Sequence, residues 1–111
     1  MKVTRICFLL VIGLPTVMSA AQIYGSLKEG DRAVRQGVQI EITCGNHAPH
    51  AGQTDVYGSY SINVRETGSC TLKVFYSDRC MPTFQIDSEN EPVRYDFLLF
   101  QQSDTCVLQR R

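Results

Sequence analysis

Thr54-Asp55-Val56-Tyr57-Gly58-Ser59-Tyr60-Ser61-Ile62-Asn63-Val64 begins as a turn and continues as a strand. Asp55 supplies a carboxylate that can bond backbone two residues on, and Gly58 accepts φ > 0 without strain. Beyond them Tyr60, Ile62 and Val64 alternate with Ser59, Ser61, Asn63 and Arg65, the period-two pattern of a half-buried strand. A strand of this kind needs neighbours, and the rest of the chain supplies them.

Upstream, Val38, Ile40, Ile42 and Cys44 point one way while Gln39, Glu41 and Thr43 point the other. Downstream, Cys70, Leu72, Val74 and Tyr76 alternate with Thr71, Lys73 and Phe75. Residues 22–27 read as a first strand with Gly25 a candidate bulge, residues 83–87 as a short strand, and residues 93–100 as the last. In that last strand Val93, Tyr95, Phe97 and Leu99 face inward, whereas Asp96, Leu98 and Phe100 face outward. Residues 28–37, carrying two glycines and five charges, read as an exposed connection. Residues 45–53 read as a loop, residues 77–82 as a break, and residues 101–111 as a polar tail tied down by Cys106. No segment carries a sustained 3.6-residue pattern. The expectation is an all-β domain: a small antiparallel Greek-key β-sandwich of six to seven strands.

The start of the chain reads differently. Lys2 and Arg5 precede an apolar run from Ile6 to Leu14, followed by small residues up to Ala21. That layout predicts a secretory signal peptide at residues 1–20 and a mature domain at residues 21–111, periplasmic or secreted, with no membrane span after signal removal. Cys7 leaves with the signal, so Cys44, Cys70, Cys80 and Cys106 remain as an even set, which predicts two disulfides. In a Greek-key sandwich the strands at 38–44 and 69–76 would be antiparallel neighbours, with Cys44 and Cys70 both on inward positions. That favours Cys44–Cys70 and leaves Cys80–Cys106. None of the cysteines stands in a CxxC pair, which excludes zinc-ribbon and thioredoxin-type readings. Eleven basic residues balance eleven acidic ones without a basic stripe, so nucleic acid is not an expected partner.

The pattern Gly25-x-Leu27, Gly37-Val38-x-Ile40, Thr54-Asp55-x-x-Gly58-x-Tyr60-x-Ile62 and Leu72-x-Val74 resembles the carboxypeptidase regulatory-like domain, a transthyretin-like sandwich. Thr43-Cys44, the Thr54-Asp55 turn, Cys70 to Val74 and Cys80 are similar to the olive-pollen-allergen-like secreted proteins, although the extra amino-terminal cysteines of that family are missing. The chain ends Cys106-Val107-Leu108-Gln109-Arg110-Arg111, in place of the Tyr-Arg-Gly-Ser ending of the transthyretin-like hydroxyisourate hydrolases. The resemblance implies a non-catalytic module with a carbohydrate-binding-like fold.

The expected function is therefore binding, with a protein or glycan recognised through loops at the end of the sandwich. Tyr57 is the candidate anchor, with Asn46, His47, His50 and Asp55 beside it. A second reading is a disulfide-stapled protease inhibitor or effector presenting residues 77–82. A third is a metal-binding protein using His47 and His50, with Asp55 as a further ligand. Two histidines in a polar loop are ordinarily solvated, so neither a metal nor a cofactor is expected. Asp78, Asp87, Glu89, Glu91 and Asp96 read as solvated charge, and no nucleophile context is present, so no enzymatic activity is expected. The outward Leu98 and Phe100 allow a monomer or a weak strand-edge dimer.

Overall fold

The computed structural model describes residues 21–111, and the expected signal peptide lies outside the described residues. In chain order the strands are β1 (Ala21–Glu29), β2 (Arg32–Ala33), β3 (Gln39–Thr43), β4 (His50–Gln53), β5 (Ser59–Val64), β6 (Gly68–Phe75), β7 (Thr83–Ser88), β8 (Val93–Arg94), β9 (Phe97–Gln102) and β10 (Thr105–Arg110). All regular structure among the described residues is β.

β1 is the spine of the first sheet. One edge pairs antiparallel with β5, from Ala21↔Val64 to Ser26↔Ser59, and then with β2 through Lys28↔Ala33. The opposite edge carries β8 and β9 in succession, both parallel to β1, with Ile23 beside Val93 and Leu27 beside Phe97. β10 closes this side as an antiparallel partner of β9. The second sheet runs β4-β3-β6-β7 and is antiparallel throughout. The all-β two-sheet class expected from the sequence is present, with parallel pairs inside the first sheet as an addition.

Between the sheets lies one core. Ile23, Leu27 and Phe97 from the first sheet and Ile40, Ile42, Leu72 and Val74 from the second are essentially sealed from solvent. Each such side chain contributes roughly 1.5–3 kcal/mol by leaving water. The rings of Phe84 and Phe97 meet edge to face across the core, with centroids 4.9 Å apart. Every inward position read from the alternation at 38–44, 60–64 and 70–74 is buried. Tyr76 is only half-buried, because its hydroxyl turns outward to Glu29.

The stretch from Thr54 to Gly58 carries the chain from the edge of the second sheet to the edge of the first. Thr54 is buried, and its hydroxyl accepts from the Val38 amide at 2.9 Å and donates to the Arg35 carbonyl at 2.7 Å. Gly58 adopts φ +75°, and a Cβ there would stand 2.7 Å from the Leu27 carbonyl oxygen. The Leu27 amide in turn donates to the Gly58 carbonyl at 2.8 Å. Glycine is required both by the backbone conformation and by the close approach.

Both disulfides form as favoured, Cys44–Cys70 and Cys80–Cys106. The first joins the end of β3 to the antiparallel β6 within the second sheet. The second ties the connection after β6 to β10, and so links the two sheets.

Several local expectations are corrected. Residues 45–53 are not all loop, because His50 to Gln53 form β4 against β3. The inward positions of β4 are His50 and Gly52, and a Cβ on Gly52 would fall 2.8 Å from Ile62 Cγ1. A glycine flattened against a neighbour leaves no apolar signature. The expected single strand at 93–100 breaks at Tyr95-Asp96, and the polar tail is a hairpin strand whose Leu108 reaches the core. Residues 28–37 are not a simple exposed connection: β1 continues to Glu29, turns back through β2, and buries Val34. Gly25 is no bulge either. It stays in register with Tyr60, and its missing side chain admits the Tyr95 carbonyl, which a Cβ would meet at 1.8 Å.

Candidate functional site

The turn that opens β5 holds the two most exposed large apolar side chains of the described residues. Tyr57 is 77% exposed and Val56 61%. Their backbone is fixed nonetheless. Asp55 Oδ1 accepts from the amides of Tyr57 at 2.8 Å and Ser59 at 2.9 Å, the Asp55 amide donates to the Ser59 carbonyl, and the Gly58 amide donates to the Asp55 carbonyl. Asp55 is therefore a positioning residue, with carboxylate oxygen Oδ1 committed to the turn. Val56 and Tyr57 project from a rigid base, so docking them costs little ordering entropy.

Beside this turn opens a cleft of about 580 Å³, walled by Glu29, Arg32, Ala33, Arg35 and Tyr76. Ala33 lies against Gly58, so cleft and turn share one end of the sandwich. The Tyr76 hydroxyl donates to Glu29 Oε1 at 2.7 Å, and the Arg35 guanidinium stacks 4.6 Å above the Tyr76 ring. The Tyr76 hydroxyl is pushed above its ordinary pKa, first by its hydrogen bond to the Glu29 carboxylate and then by burial. Arg32, Arg35 and Tyr76 belong to this surface and were not among the residues singled out from sequence. Their signal was weak, because Arg32 and Arg35 sit in what reads as a charged connection and Tyr76 has inward parity.

Asn46, His47 and His50 are not beside Tyr57. The loop that carries Asn46 and His47 enters β4 at His50, whereas the Asp55 turn leaves its other end. Four strand residues at about 3.4 Å each separate the two. The expectation of one joint surface, and of Asp55 as a ligand beside the histidines, is therefore corrected by the direction of β4. The histidines instead meet Glu66, from the connection between β5 and β6. His50 Nε2 lies 2.6 Å from Glu66 Oε1, and His47 Nδ1 lies 3.7 Å from Oε2. The hydrogen bond from His50, helped by a backbone bond, holds the Glu66 carboxyl below its usual range. Among the described residues no three histidine, cysteine or acidic side chains are arranged to hold a metal ion.

Two further sequence readings have definite geometry. The segment at 77–82 closes into a tight turn in which Ser77 and Cys80 exchange backbone hydrogen bonds, leaving Asp78 and Arg79 exposed at the tip. Asp96 is not outward solvated charge. It is half-buried, and Oδ1 accepts from the Ser26 amide at 2.9 Å and the Ser26 hydroxyl at 3.1 Å, while Oδ2 pairs with Arg94 Nε at 2.9 Å. Burial alone would raise its pKa, but the Ser26 hydrogen bonds and the Arg94 charge outweigh burial and hold it low. Asp96 caps the Ser26 amide that the break between β8 and β9 leaves without a strand partner.

No family model matches the chain, and no curated protein matches it. Solved structures do. The crystal structure of a DUF3823 family protein from Parabacteroides merdae aligns over 77% of this chain and 51% of its own, with a TM-score of 0.54 and 12% identity. The crystal structure of "a putative carbohydrate binding protein" from Bacteroides uniformis aligns over 75% of this chain and 48% of its own, with a TM-score of 0.50 and 13% identity. The chain thus spans about half the length of each. At such identities the likeness is one of fold, and it carries neither the transthyretin-like nor the allergen-like assignment further.

Proposed function

We propose that this chain is a non-catalytic, extracytoplasmic binding module that grips a protein partner through the Val56–Tyr57 turn. The observation that carries this reading is the exposure of two adjacent apolar side chains on a backbone locked by Asp55. Arg32, Arg35 and Tyr76 flank them, and tyrosine and arginine are the residue types that dominate the energetics of protein interfaces. The paired cysteines support an oxidising compartment. The non-catalytic reading rests on how the polar groups are spent: Asp55 on its turn, Asp96 on Ser26 and Arg94, Glu66 on His50.

Affinity capture from the native extracytoplasmic extract, with binding then measured on the purified pair, tests it. The expected result is a stoichiometric protein partner whose affinity falls about tenfold or more on Tyr57→Ala, in the range of an interface hot spot. A partner held equally well by Tyr57→Ala would place the contact elsewhere and end this reading.

A further inference from the structure

We propose that the outer face of the first sheet is a second binding site, for an acidic saccharide, centred on Tyr24. Tyr24 stands on the outer face of the spine strand, with Ser61 beside it on β5 and Arg94 beside it on β8. One pair further along, Ser26 faces Ser59. Three serines around one tyrosine leave a shallow basin of about 340 Å³, with the ring as its broad apolar wall. A pyranose has the matching form: an apolar C–H face that stacks on an aromatic ring, and a rim of hydroxyls.

The polar groups of the basin are set for such a rim. The Gln22 amide donates to Ser61 Oγ, which orients both and leaves the Gln22 carbonyl oxygen and the Ser61 hydroxyl proton free to bond a ligand. The Tyr24 hydroxyl makes no hydrogen bond among the described residues.

The charge around the basin is unequal. Asp96, the carboxylate beneath it, has both oxygens engaged, by Ser26 and by Arg94 Nε. Arg94 uses only Nε in that pair and is 63% exposed, so the rest of its fork faces solvent beside Tyr24. Arg111 brings a second guanidinium, donating to Ser26 Oγ at 2.9 Å. Of the side chains that line the basin only Arg94 is charged, so the hydroxyl-lined basin itself is positive. Guanidinium recognises carboxylate in bidentate geometry, so the saccharide these groups complement carries a carboxylate, as a uronic acid does.

Isothermal titration of the purified protein with an oligogalacturonide and with a neutral malto-oligosaccharide tests the assignment. The oligogalacturonide is expected to bind, the neutral sugar to bind about tenfold more weakly or not at all, and added salt to weaken the former. Tyr24→Ala and Arg94→Gln should each weaken uronide binding about tenfold. Tyr57→Ala should leave it unchanged, which separates this site from the protein-binding turn. Should Tyr24→Ala fail to fold, Arg94→Gln, at an exposed position, decides. Absence of uronide binding, equal affinity for the neutral sugar, or uronide affinity untouched by Arg94→Gln would each overturn the proposal.

Discussion

The Tyr60 hydroxyl donates to the Tyr95 carbonyl oxygen at 2.6 Å, across the spine strand at the one point where that strand has no side chain. Tyr60 is the β5 partner of Gly25, and the Tyr95 amide donates to Tyr24 at 2.8 Å. Tyr95 then reaches the other way, its own hydroxyl accepting from the Asp87 amide at 2.9 Å in the second sheet. Two strands of one sheet, the break between β8 and β9 beside them, and an edge strand of the other sheet are thereby held by two tyrosines and a glycine. Burial, reinforced by the Asp96 charge, pushes the Tyr60 hydroxyl well above its ordinary pKa, so it stays a donor at any physiological pH.

Tyr60→Phe should cost about 1–3 kcal/mol, the penalty of leaving a buried carbonyl without its donor. Gly25→Ala should cost more, because the added carbon would overlap the Tyr95 carbonyl at 1.8 Å and the backbone would have to part. Urea denaturation measures both. An unchanged midpoint for Gly25→Ala would mean that Tyr95 does not cross there.

Thr54→Val keeps the shape of a buried residue and removes both hydrogen bonds of its hydroxyl. It strands the Val38 amide and the Arg35 carbonyl, and about 2–3 kcal/mol of stability should go with them. Thr54→Ser, which retains the hydroxyl, should recover most of this. If valine and serine unfold alike, the hydroxyl is not what holds the crossing between the sheets.

The two disulfides each close a sequence separation of 26 residues, and chain entropy alone assigns each about 3.5 kcal/mol. Their surroundings differ. Cys44 and Cys70 sit on strands already paired, whereas Cys80 and Cys106 join the two sheets at the final hairpin. Replacing Cys80 and Cys106 with alanine should therefore raise amide exchange throughout β10. Replacing Cys44 and Cys70 should lower the global midpoint while β10 stays protected. Equal exchange in β10 for both pairs would contradict this division.

Acid should act through the two carboxyls held low, Glu66 and Asp96. A carboxylate whose folded pKa is depressed contributes stability above its ordinary titration range and loses that contribution as pH falls through the lowered value. Urea midpoints taken from neutral to strongly acidic pH should thus hold until Glu66 and Asp96 protonate and then decline. Glu66→Gln should make that decline shallower. Carboxyl NMR should place the Glu66 midpoint below that of a free glutamate, and a midpoint at or above the free value would refute the His50 contact.

The legible part of this fold was the part carried by alternation. The inward sets around Ile40, Ile62 and Leu72 report their own burial, and the parity of Cys44 and Cys70 together with an antiparallel pairing led to the bridges. The illegible part lay where backbone replaced side chain. β4 turns a glycine toward Ile62, and the break at Tyr95-Asp96 depends on a glycine seventy residues earlier. The site was half legible. Asp55 and Gly58 announced a turn, and Tyr57 proved to be its exposed tip. That the histidines belong to the opposite end follows only from the direction of a strand whose sequence, His-Ala-Gly-Gln, carries no strand signal.

The order of the sheets also bears on how the molecule assembles. The spine strand is first in the described chain, yet its two flanks are completed by residues 59–64 and 93–98. As the chain emerges from its amino terminus, one edge of β1 must wait for residues 59–64 and the other for residues 93–98. Contacts this distant in sequence make for slow folding and a long-lived sticky edge. A truncation before Val93 would leave one edge of the domain's most central strand unpaired.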